Sequence, residues 1–229
     1  MSCFAITSDH PRHVKFLETL YDKVDIDLVV IVSKPGGNLL EREYFNSDMS
    51  LLRRKNVLMC TKDQLNSRFV GQTLSAVQAD VGFVFGAPLL REGVFSIPKN
   101  GCVNIHTGLV THYRGVDSAL WAMHDDRPDL VGATLHYIDK SIDTGSVISM
   151  KTVNISGDDT LDTLFYKSCQ VGFDLLSQNF DDIMQNKVKK STTGSRGKLY
   201  QSKDRTENVI QNAEKNLRRY KNENYFRSM

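Results

Sequence analysis

The first half of the chain alternates short apolar runs with amphipathic segments. The runs are rich in β-branched residues, and DLVVIVS (27–33) is typical of a strand that is covered on both faces. The segments between the runs repeat apolar residues at intervals of three and four, as helices do. The pattern predicts strands at Ser2–Thr7, Asp27–Ser33, Asn56–Cys60, Val81–Phe85 and Cys102–Ile105, with helices at Arg12–Val24 and Asp63–Val77. Strands that alternate with helices predict an α/β fold, with a mostly parallel sheet and helices on both faces.

The second half of the chain has a different order of predicted elements. A short helix at Ser118–His124 precedes a hairpin-like strand pair, Ala133–Ile138 and Ser146–Val153, and then a long helix at Asp159–Asp182 capped by Asp159 or Thr160. Turn-rich residues predict loops at Gly36–Asn46 and Lys187–Gly197, and an apolar stripe predicts a helix at Thr206–Tyr220. We therefore expect one domain over 1–186 and a basic loop with a short helical C-terminal extension over 187–229. The pattern leaves open whether the last helix packs on its own domain or on a second copy of the chain in a homodimer.

Composition narrows the class of protein. The chain has 229 residues, of which 40% are apolar and 24% charged, as in ordinary globular domains. These values exclude a disordered chain, a coiled coil and a disulfide scaffold. No apolar run is long enough for a membrane span, and the first residues lack the features of a signal peptide. Four scattered cysteines without C-x-x-C spacing favour a reducing compartment, so a cytoplasmic location is expected.

The net charge of +2 hides a basic C-terminal segment. Residues 187–229 contain 12 Lys and Arg against 4 Asp and Glu. Such a segment could bind nucleic acid. However, Glu207, Glu214 and Glu223 lie among its basic residues with helical spacing, which is more typical of a solvated helix face. A small ligand that carries phosphate, or an acidic partner, is the remaining alternative.

The candidate catalytic residues lie between residues 101 and 148. Asn104 and His106 are two apart at the end of a strand, so both side chains point to one face, at the edge where such sheets bind ligands. Asp143 lies in a tight turn, IDTG (142–145). An amide, an imidazole and a carboxylate are the groups needed to move an acyl group onto an amine. Dinucleotide, P-loop, nucleophile-elbow and zinc motifs are absent from the sequence, and no metal is expected.

Three motifs in this stretch resemble the N10-formyltetrahydrofolate-dependent formyltransferases. They are an N-x-H motif (104–106), a Y-R-G motif (113–115) and an acidic turn DKSIDTG (139–145), in which Asp143 comes 39 positions after Asn104. The upstream segments FGAPLL (85–90) and IPKNGC (97–102) fit as well. The resemblance is close over about 79–153 and looser over the N-terminal third.

The resemblance implies a Rossmann-like formyltransferase domain with Asn104, His106 and Asp143 as catalytic trio. Asn104 and a protonated His106 would stabilise the oxyanion, while Asp143 keeps His106 charged and accepts the proton of the amine. N10-formyltetrahydrofolate would be the co-substrate, and no metal would take part. Folate would lie against Pro88, Leu89, Leu90, Ile138, Asp139 and Ile142. Tyr113, Arg114 and Lys203 would bind the amine substrate, with Lys198 and Arg205 as further cationic candidates.

Three branches of that family differ in the amine. The start DHPRH (9–13), the form H-x-G-L-x-x-x-Y-R-G and the segment GKLYQSKD (197–204) look like the sugar N-formyltransferases, which act on nucleotide-linked amino deoxysugars. Thr111 departs from the proline that is frequent in that branch. Glycinamide ribonucleotide formyltransferases carry a glycine-rich loop after the first strand, which DHPRH lacks. Initiator-tRNA formyltransferases carry an additional RNA-binding domain, which the 75 residues after Asn154 do not resemble. A non-catalytic folate-binding module is the alternative outside enzymes.

Overall fold

The computed structural model describes residues 1–33, 39–188 and 196–227. Nine strands and seven α-helices are present in this part of the chain. The strands are β1 Cys3–Ser8, β2 Leu28–Val32, β3 Val57–Cys60, β4 Val81–Phe85, β5 Cys102–His106, β6 Tyr113–Gly115, β7 Gly132–Tyr137, β8 Val147–Thr152 and β9 Lys198–Tyr200. The helices are α1 Pro11–Tyr21, α2 Leu39–Tyr44, α3 Arg68–Ala76, α4 Glu92–Phe95, α5 Ser118–His124, α6 Leu161–Met184 and α7 Glu207–Arg227.

Seven strands form the main sheet, in the order β3-β2-β1-β4-β5-β7-β8. The five strands from β3 to β5 are parallel, and β7 and β8 are antiparallel additions at one edge. The predicted mostly parallel α/β sheet and the hairpin are thereby confirmed. The strand order reverses between β1 and β4, and a reversal of this kind opens a crevice at the carboxyl ends of the strands.

Helices cover both faces of the sheet. On one face α1 and α6 bury Phe16, Leu17 and Phe173 against the strands, and on the other α3 buries Val70 and Leu74. α6 begins at the cap Thr160, whose side chain accepts a hydrogen bond from the backbone of Thr163. All four cysteines are free and buried, as the scattered spacing predicted.

Two predicted elements are wrong in extent. The predicted loop at 36–46 contains α2 over Leu39–Tyr44, and its residues 36–38 lie outside the described residues. Two contacts hold this six-residue helix in place. Glu41 is buried against Arg12, and Phe45, which follows the helix, packs in the core. The helix predicted from Asp63 begins at Arg68, because the Ser67 side chain accepts a hydrogen bond from Val70 and caps the helix there.

A second, two-stranded sheet joins distant parts of the chain. The Y-R-G motif forms strand β6, Tyr113–Gly115, which pairs in parallel with β9. A parallel pair between segments this far apart has no local signal in the sequence. Most of the predicted basic loop at 187–197 lies outside the described residues.

The C-terminal helix packs on its own chain. Ala213 and Leu217 of α7 lie in one apolar cluster with Trp121 and Met123 of α5. The Asn216 amide donates to the carbonyls of Met123 and His124, at 2.9 and 3.1 Å. α7 continues to Arg227, beyond the predicted end at Tyr220. Across the described ranges, no helix is both long and apolar enough to span a membrane.

Candidate active site

A cavity of about 550 Å³ opens at the carboxyl ends of β1, β4 and β5, where the strand order reverses. It brings together Asn104, His106 and Asp143, the three residues of the predicted trio. A second cavity of about 470 Å³ adjoins it, and the two share Arg12, Asp117 and Phe165 as lining residues. The two adjoining cavities together are called the cleft below.

His106 ends β5 and is buried, with 5% of its surface exposed. Its Nε2 lies 2.9 Å from the carbonyl oxygen of Tyr113 and 3.1 Å from the hydroxyl of Ser118. A carbonyl only accepts hydrogen bonds, so Nε2 carries a proton and Nδ1 is the nitrogen that titrates. Gly108 makes room for this ring, because a Cβ at that position would lie 2.7 Å from Nε2 and 2.3 Å from the Cβ of Ser118.

Asp143 lies in the turn between β7 and β8 with a positive φ of 51°, a conformation that Asp tolerates better than most residues. Its Oδ2 is 3.3 Å from Nδ1 of His106 and accepts a hydrogen bond from the Gly115 backbone at 2.8 Å. Its Oδ1 is 3.5 Å from Nε2 of His136. The carboxylate thus lies between two imidazoles.

Asn104 reaches Asp143 through His136. The Asn104 Nδ2 lies 3.2 Å from Nε2 of His136, whose Nδ1 is 2.8 Å from the Tyr137 carbonyl and therefore donates to it. An amide nitrogen has two hydrogens, so Asn104 can donate one to His136 and a second to a bound oxygen atom.

Burial and charge oppose each other in the pair of His106 and Asp143. Burial lowers the pKa of His106, and the attraction of Asp143, which acts in the opposite direction, is smaller. Burial alone would raise the pKa of Asp143, but His106, His136 and the Gly115 amide together hold it well below its usual range. At neutral pH the low pKa of Asp143 keeps its carboxylate ionised, whereas burial of the ring and the attraction of Asp143 act in opposite directions on His106. The expectation that Asp143 keeps His106 charged stays a prediction, and desolvation of the ring opposes it.

The residues expected to bind folate divide into two groups. Pro88, Leu89 and Ile142 line the cavity with the trio. Leu90 is buried in the core beneath α3, and Ile138 and Asp139 line a separate cavity on the other side of the acidic turn. Their assignment to folate stays a prediction.

The residues expected to bind the amine substrate have other contacts. Tyr113 packs against Tyr200 in the cluster below α5, and Tyr200 in turn stacks on Trp121 with ring centroids 4.0 Å apart. Arg114 donates from Nε to the carbonyl of Gly197 at 2.7 Å and from Nη1 to that of Ile142 at 3.1 Å, so it braces the acidic turn. Lys203 is exposed on a 3₁₀ turn outside the cavity lining, whereas Arg205 lines the second cavity, 3.6 Å from Asp117. Their roles in binding likewise stay predictions.

His136 and Ser118 belong to this site and were missed in the sequence. His136 lies opposite Asn104 in the β5–β7 register. A titratable side chain at a buried position in a mostly apolar strand was the available signal. No comparable signal marks Ser118. The described residues contain no group of three or more His, Cys, Asp or Glu side chains arranged to hold a metal ion.

Known proteins share this fold and this sequence pattern. The methionyl-tRNA formyltransferase of Halothermothrix orenii is 36% identical over 175 residues, which are 73% of this chain and 54% of that protein. The chain thus spans about half the length of this curated relative. An N-formyltransferase from Helicobacter canadensis, in complex with folinic acid and dTDP-3-aminofucose, has a similar structure (TM-score 0.64, 16% identity, 95% of this chain and 81% of that chain). Phosphoribosylglycinamide formyltransferase from Anaplasma phagocytophilum is also similar (TM-score 0.63, 18% identity, 82% of this chain and 88% of that chain).

The match to a family model extends from the end of β1 through most of α6. It covers residues 7–179, which include the trio, His136 and most of the residues that line the cavity. The stretch is more than half of the chain, and the motifs in it are those that resembled folate-dependent formyltransferases. The chain belongs to the formyl transferase family.

Proposed function

We propose that this protein transfers a formyl group from N10-formyltetrahydrofolate to the primary amine of a nucleotide-linked amino deoxysugar. The observation that carries the proposal is the contact between His106 Nδ1 and Asp143 Oδ2, 3.3 Å apart, beside Asn104 in a cavity at the reversal of strand order. In a chain of the formyl transferase family, this is the place and the set of groups that acyl transfer to an amine requires.

The folate co-substrate has an apolar wall to lie against. Pro88, Leu89 and Ile142 line the cavity next to the trio, and Leu89 is largely exposed there. Folinic acid is bound in the related structure from Helicobacter canadensis, which supports the same co-substrate here. The exposed Leu89 would be covered by the bound pteridine.

The reaction has to dispose of one proton. Attack by the amine nitrogen forms a bond to the formyl carbon, the bond from that carbon to N10 breaks, and a proton passes from the amine to N10. A neutral His106 accepts that proton on Nδ1, because Asp143 stabilises the imidazolium that results. The pair can hold the proton until N10 takes it.

The attack also creates a negative charge on the formyl oxygen. Asn104 can donate its second N–H to that oxygen while His136 holds the amide in position. Removing one donor of this kind costs about 3 kcal/mol of transition-state stabilisation in well-studied enzymes. The imidazolium of His106 adds positive charge at the same stage.

The second cavity supports a large amine substrate. It extends from Phe165, where it meets the cavity that holds the trio, to Arg205, so an aromatic face and a cation lie outside the cavity of the reacting groups. A nucleotide-linked sugar would place its amine near His106 and its phosphates towards the rim. The related structure that holds dTDP-3-aminofucose supports this class of substrate.

Glycinamide ribonucleotide and initiator tRNA are the other candidates. The similar structure from Anaplasma phagocytophilum favours the first, and the 36% identical relative from Halothermothrix orenii favours the second. Cytoplasmic location and a homodimer stay predictions for all three.

The test is a formyl-transfer assay on the purified protein. N10-formyltetrahydrofolate is supplied with dTDP-linked amino sugars, glycinamide ribonucleotide or initiator methionyl-tRNA, and each product is identified by mass spectrometry. We expect kcat/KM to be highest for an amino sugar. A higher value for either of the other amines would replace the proposed substrate and leave formyl transfer intact. No formylated product from any amine would refute the proposal.

A further inference from the structure

The start of α1 lies at the edge of the catalytic cleft and lacks an anion of its own. α1 follows β1 directly, its N-cap His10 makes no side-chain capping bond, and its first turn contains no acidic residue. Pro11 has no N–H and the His13 N–H donates to the His10 carbonyl at 2.9 Å, so the Arg12 N–H is the first-turn donor that can reach an anion here. Such a donor, together with the helix dipole, attracts anions. If the amine substrate carries phosphate, as in the proposed function, this helix start is a position where a phosphate could bind.

A carboxylate from elsewhere in the chain occupies that position. Glu41 of α2, 29 residues further on, accepts a hydrogen bond on Oε1 from the Arg12 backbone N–H at 3.3 Å. The same oxygen accepts from Arg12 Nη1 at 2.6 Å, and only 3% of Glu41 is exposed. Arg12 also reaches Nδ1 of His10, at 3.3 Å from Nη1. The available donors around the helix start are thus directed to an internal anion.

Glu41 is also part of the cleft. Glu41 and Arg12 both line the second cavity, and Arg12 lies where that cavity meets the one that holds the trio. A phosphate that approached the start of α1 through the cleft would meet a buried negative charge. Two like charges a few ångströms apart in a partly buried site repel strongly.

We propose that Glu41 determines substrate specificity by occupying the anion position at the start of α1, so that the amine substrate carries no phosphate at that point. An uncharged sugar ring can lie there, with its phosphates further along the cleft towards Arg205. A small phosphorylated amine, whose phosphate lies close to the amine, cannot. This inference rests on the proposed function, because it selects among the amines that a formyltransferase of this fold would accept.

A purely structural role for Glu41, as a cap that stabilises α1, predicts a different result. Loss of a cap lowers the free energy of unfolding but creates no affinity for phosphate. The decisive measurement is therefore the binding of inorganic phosphate to the full-length protein in phosphate-free buffer, by calorimetry and by the shift in melting temperature.

Three variants are compared with the wild type. In Glu41→Ala the position is vacated and Arg12 is left without its counter-ion, so phosphate should bind at least about tenfold more tightly than to the wild type. In Glu41→Gln the shape and a hydrogen-bond acceptor remain but the charge is gone, and binding should also strengthen. In Arg12→Ala/Glu41→Ala the cation is removed as well, and the gain should disappear.

These measurements distinguish a role of Glu41 in specificity from a purely structural role. Equal binding of phosphate to the wild type and to both single variants would overturn the inference, and so would an undiminished gain in the double variant. If Glu41→Ala does not fold, Glu41→Gln decides the question. An activity arm compares glycinamide ribonucleotide with an amino sugar, and the ratio of their kcat/KM values should move at least about tenfold towards the ribonucleotide in Glu41→Ala. Phosphate binding is measured without turnover. The binding result can therefore be interpreted even if the proposed function is wrong.

Discussion

Two buried aspartates in this protein are used in different ways. Asp159, at the start of α6, has 4% of its side chain exposed and is held by Lys167 at 2.6 Å, with further hydrogen bonds from Ser156 and Thr163. Asp143 has 12% exposed and lies 3.3 and 3.5 Å from two histidines. Both carboxyls have a lowered pKa, against the effect of burial, because of these partners.

The difference lies in the partners. The partner of Asp159 is the ammonium group of Lys167, and the contacts are short, so the aspartate serves to fix the start of α6. The partners of Asp143 are imidazoles, a type of group that can act as a general acid or base, and Asp143 lines the cavity. A buried carboxylate therefore indicates a catalytic site only when its neighbours can exchange a proton and a substrate can reach it.

The largest expected effect is on turnover. Asp143→Asn keeps an oxygen that can accept from Gly115 but removes the charge that stabilises a protonated His106. We expect kcat to fall by about 100-fold or more, and Asn104→Ala and His106→Ala to do the same. Steady-state kinetics on the amine that the assay identifies gives the measurement.

Asp159→Asn is the matched control for this experiment. It should leave kcat within a factor of about two, because Asp159 lies outside the cavity that holds the trio. An equal loss of kcat in the two variants would show that the comparison between the aspartates is mistaken.

The second effect is on stability, and here the substitution of Asp159 should have the larger effect and that of Asp143 the smaller. Asp159→Ala leaves Lys167 without its counter-ion and the backbone of Ser156 without an acceptor. The free energy of unfolding should fall by about 3 kcal/mol, measured by urea denaturation. Asp143→Ala, whose ionisable partners can become neutral, should cost less. A larger loss for Asp143→Ala would reverse the assignment of the two roles.

A substitution of Arg114 tests how the turn that contains Asp143 is held in place. Arg114→Met removes the hydrogen bonds to Gly197 and Ile142, next to Asp143. If Arg114 is a brace, kcat should fall by about tenfold, the loss typical of one charge-assisted hydrogen bond, with little change in KM for the amine. A rise in KM at unchanged kcat would instead support the predicted role of Arg114 in substrate binding. Arg127→Met, which removes a surface pair with Asp129, serves as the control.

The smallest effect concerns pH. Burial lowers the pKa of His106 in the folded protein, whereas the unfolded chain takes up that proton near about pH 6.5. The stability contributed by the neutral ring is therefore fully present above about pH 6.5 and is lost as the pH falls towards the folded pKa. Urea unfolding at pH 7.5 and pH 5.5 should show a smaller decrease in His106→Asn than in the wild type, while Asp159→Asn keeps the decrease. The same decrease in all three proteins would mean that His106 is not the group responsible.

The sequence alone determined most of the main sheet and one part of the site. β-branched runs and helical periodicity are local properties, so most of the predicted strands and helices match the structure. The clearest departures are α2 at Leu39–Tyr44, β6 at Tyr113–Gly115, the start of α3 and the end of α7. The shared face of Asn104 and His106 follows from the two-residue pleat of any strand. The spacing to Asp143 was informative because it repeats a family pattern, and the match over residues 7–179 confirmed that family.

Tertiary structure decided what surrounds those residues. His136 comes beside Asp143 through the antiparallel register of β5 and β7, and Arg114 reaches Gly197 across 83 residues. Glu41 reaches the start of α1 only because a short helix turns it inward. Burial, which lowers the pKa of His106, likewise depends on the packing of the whole domain. Short-range periodicity and pleating are properties of the local chain, whereas contacts between distant segments and the loss of solvent around a charge exist only in the folded protein.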